Sequence, residues 1–390
     1  MRVLLVTDWT AEEGGIETYL ELVAGGLRAA GDEVALLTSS AGPGAHADYR
    51  AFGTERLAAQ AFLQIANPLA ALDVRRAVAD FRPDAVYVSM FEIFLSPAIF
   101  APLRRTRTVL NIAYYKPVCP TGHKLLPDGA ICQVRAGAPC LRNRCLSPAR
   151  WLREQPRYAL IRAAIESAGA VVTCSRFMRS ELARAGVEAG FLPWPIDPPG
   201  PAFSRAPAEE PLFLFTGRLS AEKGVDVLLR ALGLLRARGT AARLRIVGDG
   251  PERARLETLT GSLELEAAVE FAGRVPRREI ERELAPAWAL VAPSTWAEPL
   301  GLTALEAIVR GVPVVASATG GLAEMVQPGV TGLLFRNGDV DALADCLAEV
   351  ARRGVFPGHQ VSPGSAAAAL VEHDLDLHTR RIRELLRAPA

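Results

Sequence analysis

Leu212-Phe213-Leu214-Phe215-Thr216-Gly217-Arg218-Leu219-Ser220-Ala221-Glu222-Lys223-Gly224 is the stretch that decides the fold. The apolar run from Phe213 to Thr216 reads as a buried strand, and it ends at a glycine turn that opens a helical pattern. A buried strand feeding a helix through a short turn is half of a βαβ unit, which calls for a parallel sheet. Arg218 and Lys223 then fall at the carboxyl end of the strand, the side on which open α/β sheets bind ligands. Arginine can fork across two phosphate oxygens and lysine supplies a compact charge, so the pair suits an anionic ligand. Two solvated surface cations would give the same local pattern, and the reading therefore turns on what lies further along.

Glu298 and Glu306 stand eight residues apart around Pro299-Leu300-Gly301-Leu302-Thr303, a turn leading into an apolar-faced helix, and Gly320-Gly321 follow one strand later. A carboxylate before the turn can accept hydrogen bonds from sugar hydroxyls, and one inside the helix can accept from ribose hydroxyls. Backbone N–H groups at the helix start favour phosphate oxygens. Acidic residues near a helix N-terminus are common without any ligand. Two cations, two carboxylates and two glycine turns in one half of the chain point to a nucleotide-sugar more strongly than any one of them.

With 390 residues, 50% hydrophobic and 22% charged, the chain has the length and composition of two or three globular domains. A net charge of +1 gives no global field for nucleic acid, and no nucleic-acid partner is expected. The start, MRVLLVTDWTAEEGG, has a four-residue apolar run that soon meets Asp8, Glu12 and Glu13, unlike a signal peptide or a membrane span. No uncharged apolar run approaches about 18 residues. The expected location is cytoplasmic, with peripheral contact to the inner face of an anionic membrane as a further expectation.

The alternation extends over most of the chain. Val3–Thr7 reads as a strand, Ile16–Ala30 as a helix opened by Gly14-Gly15 and stopped by Gly31, and Val34–Thr38 as a second strand. A helix near Leu69–Phe81, strands at Ala85–Val88 and Thr108–Ile112, and a strand-helix pair over Ala170–Ala185 continue the series. Residues 193–211 are rich in proline and read as a linker. A second series starts at Leu212, with strands near Leu244–Val247, Val269–Phe271, Leu290–Ala292 and Val312–Ala316. Leu370–Leu386 is spaced as a helix ending in Arg380, Arg381, Arg383 and Arg387. The expected fold is α/β, with two doubly wound Rossmann-like domains at 1–195 and 212–368, a linker at 196–211, and a C-terminal helix at 369–390 returning to the first domain.

The chain resembles the retaining glycosyltransferases with two facing Rossmann-like domains (GT-B fold), of the glycogen-synthase and mannosyltransferase-like group. The likeness spans nearly the whole length and is strongest from 212 to 335. Its most specific motif is Glu-x7-Glu, Glu298 to Glu306. GGIE at 14–17, GRLSAEKG at 217–224, VGDGP at 247–251 and TGGLAEMV at 319–326 add to it. The resemblance implies an acceptor-binding first domain and a donor-binding second one, with Arg218, Lys223 and Glu298 catalytic. Arg218 and Lys223 would bind the donor diphosphate, Glu298 the sugar hydroxyls and Glu306 the ribose. It further implies donor contacts at Gly14, Gly15, Gly217, Gly248, Leu300, Gly301, Leu302, Thr303, Gly320, Gly321 and Leu322, with Arg274 and Val275 lining the base. Such enzymes need no metal for catalysis, since cations and a helix end neutralise the leaving diphosphate. Asp339-Val340-Asp341 and Asp374-Leu375-Asp376 fit the metal-holding Asp-x-Asp pattern but read as caps or surface residues at helix starts or interiors.

One stretch departs from the family. Where many relatives carry a His before a Cys-Pro, this chain has Asn111-Ile112-Ala113-Tyr114-Tyr115-Lys116-Pro117-Val118-Cys119-Pro120. Tyr114, Tyr115 or Lys116 would replace that contact, or the acceptor side has changed; the nearby His123 is a further candidate, although a lone loop His is more often solvent-facing. The N-terminal half shows no Asp or Glu base in sequence. Residues 116–158 then read as an insertion in the first domain holding Cys119, Cys132, Cys140 and Cys145. A structural zinc or iron–sulfur site, free thiols and disulfides all stay open for these cysteines. The insertion also carries Lys116, Lys124, Arg135, Arg142, Arg144, Arg150, Arg153 and Arg157 against Asp128 and Glu154. That excess suits anionic headgroups or a lipid-diphosphate acceptor, and equally a solvated loop.

The resulting expectation is a retaining hexosyl or N-acetylhexosaminyl transferase in polysaccharide biosynthesis, using a UDP-sugar first and GDP-mannose second. Its acceptor would be a hydroxyl on a glycan, a lipid-linked precursor or a small molecule. A catalytically silent nucleotide-sugar binding subunit and a nucleotide-sugar epimerase are the alternatives.

Overall fold

A computed structural model describes residues 1–9, 14–42, 47–352 and 355–388; Glu12 and Glu13 lie outside the described residues. The chain divides into two compact units, Met1–Pro195 with His373–Ala390, and Ile196–Glu372.

The first unit holds a seven-stranded sheet with all pairings parallel, built from β1 (Arg2–Val6), β2 (Glu33–Ser39), β3 (Tyr49–Ala51), β4 (Ala85–Val88), β5 (Arg107–Asn111), β6 (Ala170–Thr173) and β7 (Gly190–Phe191). Their order is β3-β2-β1-β4-β5-β6-β7, so the topology reverses between β1 and β4. Val3, Leu4, Leu5 and Val6 are all buried, as are Ala85 to Val88, which is what helices on both faces of a parallel sheet require. The helix Gly15–Ala29 buries Tyr19, Leu20, Val23 and Leu27.

The second unit holds a six-stranded parallel sheet of β8 (Leu212–Thr216), β9 (Arg243–Val247), β10 (Val269–Gly273), β11 (Ala289–Ala292), β12 (Val314–Ser317) and β13 (Gly332–Phe335), in the order β10-β9-β8-β11-β12-β13. Two apolar clusters sandwich it. Phe213 and Phe215 lie with Leu228, Leu232 and Leu347 on one face, and Leu214 and Leu290 with Ala304, Ile308 and Leu322 on the other. The apolar periodicity located most strands to within two residues at either end. It missed β3, β7 and β13, where two to four residues carry too little pattern.

Two stretches differ from their sequence reading. The proline-rich segment is coil, yet it is pinned within the second unit. Arg205 donates to the carbonyls of Leu284, Ala285, Ala287 and His359 at 2.6–2.9 Å, and Trp288 Nε1 donates to Ala208 O at 2.8 Å. The helix expected over Leu370–Leu386 is two, Pro363–Glu372 and Leu375–Arg387, interrupted at His373. The cause is local: Asp374 caps the second helix by accepting from Leu377 N at 2.7 Å, a geometry incompatible with continuing the first.

The Leu375–Arg387 helix belongs to the first unit and packs on Gly15–Ala29. His373 Nδ1 bonds Trp194 O at 2.6 Å, His378 Nδ1 bonds Pro193 O at 2.7 Å, and Arg383 pairs with Asp32 at 2.9 Å. The approach is close because Gly26 has no side chain; a Cβ there would sit 2.3 Å from Thr379 Oγ1. Gly26→Val is expected to cost on the order of 1–3 kcal/mol in urea unfolding and to expose the C-terminal helix to limited proteolysis. Unchanged stability with full protease resistance would show that the two helices do not depend on this contact.

Candidate functional site

Parallel strands separate at their carboxyl ends where the strand order reverses, and in the second unit that place lies between β8 and β11. The chain leaves β8 through Gly217 to Lys223 and leaves β11 through Pro293 to Glu298. The two loops are in direct contact. Gly224 has φ +65°, and a Cβ on it would stand 2.1 Å from Pro293 O; Thr295 N donates to Glu222 O at 2.9 Å. Only glycine satisfies both the left-handed backbone and this approach.

This contact brings Lys223 and Glu298 together, with Nζ 2.8 Å from Oε1 across 75 residues of sequence. Ser294 Oγ also donates to Glu298 Oε1, and the Trp296 side chain helps draw the carboxyl down. Burial would push the Glu298 carboxyl up, but the Lys223 charge, with Ser294 and Trp296, outweighs it and holds the carboxyl below its ordinary range. Glu298 is therefore a fixed, ionised acceptor. Arg218, on the loop after β8, is exposed, and its side chain forms no hydrogen bond or ion pair among the described residues. Its guanidinium is open to an incoming anion, while the Lys223 ammonium is shared with Glu298.

Gly301, at φ +89°, caps the helix Leu302–Val309, which carries Thr303 on its first turn and Glu306 further in; Leu300 is buried beside it. Glu306 is pushed up by burial and held down by Arg277 and Arg310. Gly320 and Gly321 lie against the Glu298 turn. A Cβ on Gly320 would be 2.5 Å from Glu298 N and O, and Gly321 N donates to Glu298 O at 2.6 Å. That N–H is already committed to the protein, so these glycines act first as spacers that let the turn and the Leu322 helix meet. Gly217 N donates to Val247 O at 3.0 Å and Gly248 N to Gly273 O at 2.7 Å, lining up the carboxyl ends of β8, β9 and β10. Val275 packs against the apolar cluster beneath the sheet, whereas Arg274 is exposed.

Gly14 and Gly15 lie in the first unit at the start of its first helix, where Glu17 is buried and accepts from Trp9 Nε1 at 2.6 Å. That unit has acidic groups which the sequence reading did not find. Asp8, just beyond β1, is fully buried and accepts from Ile93 N, Phe94 N and Leu95 N, each at 2.8 Å. Glu92, just beyond β4, is fully buried and accepts from Tyr114 Oη and, at 3.2 Å, from Phe91 N. The sequence reading found no Asp or Glu base in this half; these two buried carboxyls stand at the carboxyl edge where the first sheet reverses. No motif marks them, since strand ends in separate parts of the chain bring them together. Of the residues considered in place of the family His, Tyr115 is fully buried, Lys116 Nζ donates to Pro120 O at 3.2 Å, and Tyr114 holds Glu92.

The cysteine segment forms turns, a short helix Ala138–Arg142 and the start of the helix Pro148–Ser167. Cys119, Cys132, Cys140 and Cys145 are free thiols. They lie near enough that, after burial, each neighbouring thiol helps push Cys140 and Cys145 up. Among the described residues no three His, Cys, Asp or Glu side chains are arranged to share a metal ion. Cys132 Sγ faces Val134 O at 3.8 Å and Cys145 Sγ faces Asn143 O at 3.9 Å. As placed, the four do not fit zinc or an iron–sulfur cluster. The basic excess is also smaller at the surface than in sequence. Lys124 is buried against Glu181 at 3.4 Å and Arg157 against Glu154 at 2.9 Å, leaving Arg135, Arg142, Arg144 and Arg150 exposed. Asp339 and Asp374 are N-caps, accepting from Ala342 N at 3.0 Å and Leu377 N at 2.7 Å. No single helix among the described residues is long and apolar enough to cross a membrane.

Two outcomes follow. Lys223→Ala strands the Glu298 carboxylate and is expected to cost on the order of 1–3 kcal/mol in urea unfolding, most of it recovered in Lys223→Ala/Glu298→Gln. A double variant no more stable than the single would show that the ion pair is not what Lys223 contributes. In the first unit, burial raises Glu92 to about 7, the Tyr114 hydroxyl and the Phe91 N–H lower it, Asp8 raises it and Arg157 lowers it. Its folded value lies above its unfolded value, so the folded state binds the proton more tightly. Stability should fall as pH rises from about 4.5 to about 7 and then level off, by at most about 3 kcal/mol from this group. Glu92→Gln should remove that part of the fall, and parallel profiles for the two proteins would refute the assignment.

Comparison with known proteins agrees with this architecture. Residues 14–191 match the family model "Glycosyl transferase 4-like domain", and residues 201–356 match "Glycosyl transferases group 1". A GDP-mannose-dependent alpha-(1-6)-phosphatidylinositol monomannoside mannosyltransferase of Mycobacterium tuberculosis is 29% identical over 375 residues, 90% of this chain and 89% of its own. The glycogen synthase of that species is 33% identical over 199 residues, 48% of this chain and 46% of its own. An Escherichia coli K12 protein provisionally named colanic acid biosynthesis glycosyltransferase WcaL is 31% identical over 53% of this chain and 50% of its own. In several of these curated relatives the chain thus spans half of their length or less. Among solved structures, a sucrose-phosphate synthase from Thermosynechococcus elongatus superposes with a TM-score of 0.74 at 21% identity, covering 99% of this chain and 98% of its own. Anabaena HepE in complex with UDP and glucose gives 0.69 at 18% identity, covering 99% of both chains. At such identities the likeness is one of fold. The two family models follow one another along two parallel-sheet units, the first matching a glycosyl transferase 4-like domain and the second a domain of glycosyl transferases group 1, in the two-sheet arrangement of the GT-B fold.

Proposed function

We propose that this protein transfers a hexosyl or N-acetylhexosaminyl group from a nucleoside-diphosphate sugar to an acceptor hydroxyl, with retention at the anomeric carbon. The observation that carries this reading is the Lys223–Glu298 pair, 2.8 Å apart between the carboxyl ends of β8 and β11, with the uncommitted Arg218 on the same loop as Lys223. Arg218 and Lys223 would neutralise the diphosphate as it leaves, with the first turn of the Leu302–Val309 helix adding its dipole. Glu298, ionised and held by Lys223 and Ser294, would accept from the sugar hydroxyls, and Glu306 from the ribose. Leaving-group oxygens can take the acceptor proton on the departing face, so this route asks for no separate base and no metal. The charge arrangement supports metal independence because two cations already face the place where negative charge develops.

The donor base is UDP in the first instance and GDP in the second; UDP lies in a solved neighbour and GDP-mannose in the name of a full-length relative. The acceptor hydroxyl belongs to a glycan, a lipid-linked carrier or a small molecule. The exposed Arg135, Arg142, Arg144 and Arg150 favour an anionic partner, a membrane surface or a lipid-diphosphate.

The test is thermal unfolding with UDP, GDP, ADP and TDP and their common sugar conjugates. A ligand at about 100 times its dissociation constant adds roughly 2.7 kcal/mol of stability. The expected result is an upward shift selective for one base, with that nucleotide's sugar hydrolysed slowly without acceptor. Absence of any shift, in a protein that unfolds cooperatively, would overturn the donor site.

A further inference from the structure

The Glu306 carboxylate is mostly withdrawn from solvent, with 14% of its side chain exposed, yet no hydrogen bond to its oxygens forms among the described residues. Its recorded partner is the Arg277 guanidinium, with Nη2 3.5 Å from Oε1. The same Nη2 lies 3.0 Å from Asp197 Oδ2, in the proline-rich coil. A second link runs parallel: Arg310 donates to Glu306 O at 3.3 Å and to Glu281 Oε1 at 2.9 Å, and Glu281 Oε1 accepts from Gly200 N at 2.9 Å. The coil is therefore tied at Asp197 and Gly200 to the groups around Glu306. A carboxylate offers about four acceptor positions, and in a half-dry place these stay free for a ligand hydroxyl to take in place of water.

We propose that Arg277 is a positioning residue of the nucleotide site, its guanidinium shared between Asp197 and Glu306 so as to hold the Glu306 carboxylate as an acceptor for the ribose hydroxyls. The inference rests on the nucleotide-sugar reading above and adds to it a residue and a coil segment that no motif contains. Competition gives it a sign. Arg277 can serve Glu306 fully only to the extent that Asp197 releases it, and the two carboxylates oppose each other. Burial pushes Glu306 up, Arg277 and Arg310 pull it down, and Asp197 pushes it up again. Around the Leu302–Val309 helix, β11 and β12 contribute no titratable side chain. The helices Gly320–Met325 and Pro363–Glu372 contribute Glu324 and Glu372, and the helix Ile280–Leu284 contributes Glu281 through Arg310.

The experiment is isothermal titration of the full chain with UDP and with GDP across pH 5 to 8 (roughly the range in which buried carboxyls titrate). It compares wild type with Arg277→Gln, Arg277→Lys, Asp197→Asn and Glu306→Gln. The phosphate's own titration is common to every variant, so differences between variants report the protein. Arg277→Gln should weaken binding roughly tenfold and move the acidic loss of affinity to higher pH. Asp197→Asn should move that loss to lower pH, Arg277→Lys should restore most of the wild-type profile, and Glu306→Gln should flatten it. Wild type that binds while Arg277→Gln keeps the same affinity and the same pH profile would overturn the role of Arg277 alone. Wild type that binds neither nucleotide would overturn the donor reading and this proposal with it. Arg277 is about one-third exposed, and unchanged urea midpoints for both Arg277 variants will separate the effect from misfolding.

Discussion

An ammonium and a carboxylate drawn out of water each lose several kcal/mol of hydration, and they recover it only when geometry is good and the remaining donors and acceptors are filled. Lys223 and Glu298 meet that condition. Ser294 adds a second donor to the carboxylate, and the loops that carry the pair are locked by Gly224 against Pro293 and by Thr295 against Glu222. The pair fixes the separation of the two loops after β8 and β11, and with it the place where Arg218, the helix Leu302–Val309 and Glu306 can act on one ligand. An exposed pair of the same length would be worth little and would fix nothing.

The first unit uses the same topology for a different arrangement. Its carboxyl edge holds Asp8 and Glu92, whose hydrogen bonds come mainly from backbone N–H groups and a phenol, with Arg157 nearby but committed to Glu154 and to Glu92 O. Burial dominates here, so Glu92 titrates near neutrality, whereas cation pairing dominates at Glu298 and keeps it ionised. Two carboxylates at corresponding edges of two similar sheets thus have opposite electrostatic character, set by whether a cation is within reach.

Glycines in this protein serve close approach more than phosphate binding. Gly320 and Gly321 sit against backbone atoms of the Glu298 turn, and Gly321 spends its N–H on Glu298 O. The segment 196–211 reads from composition as a linker, and in the structure Arg205 gathers four carbonyls from two separate regions and makes the coil part of the second unit. In the same coil Asp197 becomes a neighbour of Glu306 through Arg277, with Ile196 packed on Leu305 and Val309 and Gly200 bonded to Glu281.

The sequence by itself determined the alternation of apolar strands and helices and the two-sheet α/β architecture, and it marked Arg218, Lys223, Glu298 and Glu306 as candidates, because each is written in local residues: a buried run, a glycine turn, a fixed spacing. Short edge strands such as β7 were illegible for want of length, and the break at His373 for want of any signal besides one capping aspartate. What only the tertiary structure decided is every relation between distant segments. Lys223 lies on Glu298, Asp8 and Glu92 converge at one sheet edge, Arg277 stands between Asp197 and Glu306, and four nearby cysteines fail to share a metal geometry. Spacing along a chain sets which residues share one helix or strand. Distances between elements depend on how the sheets order and twist, and ionisation depends on what burial and charge those distances bring.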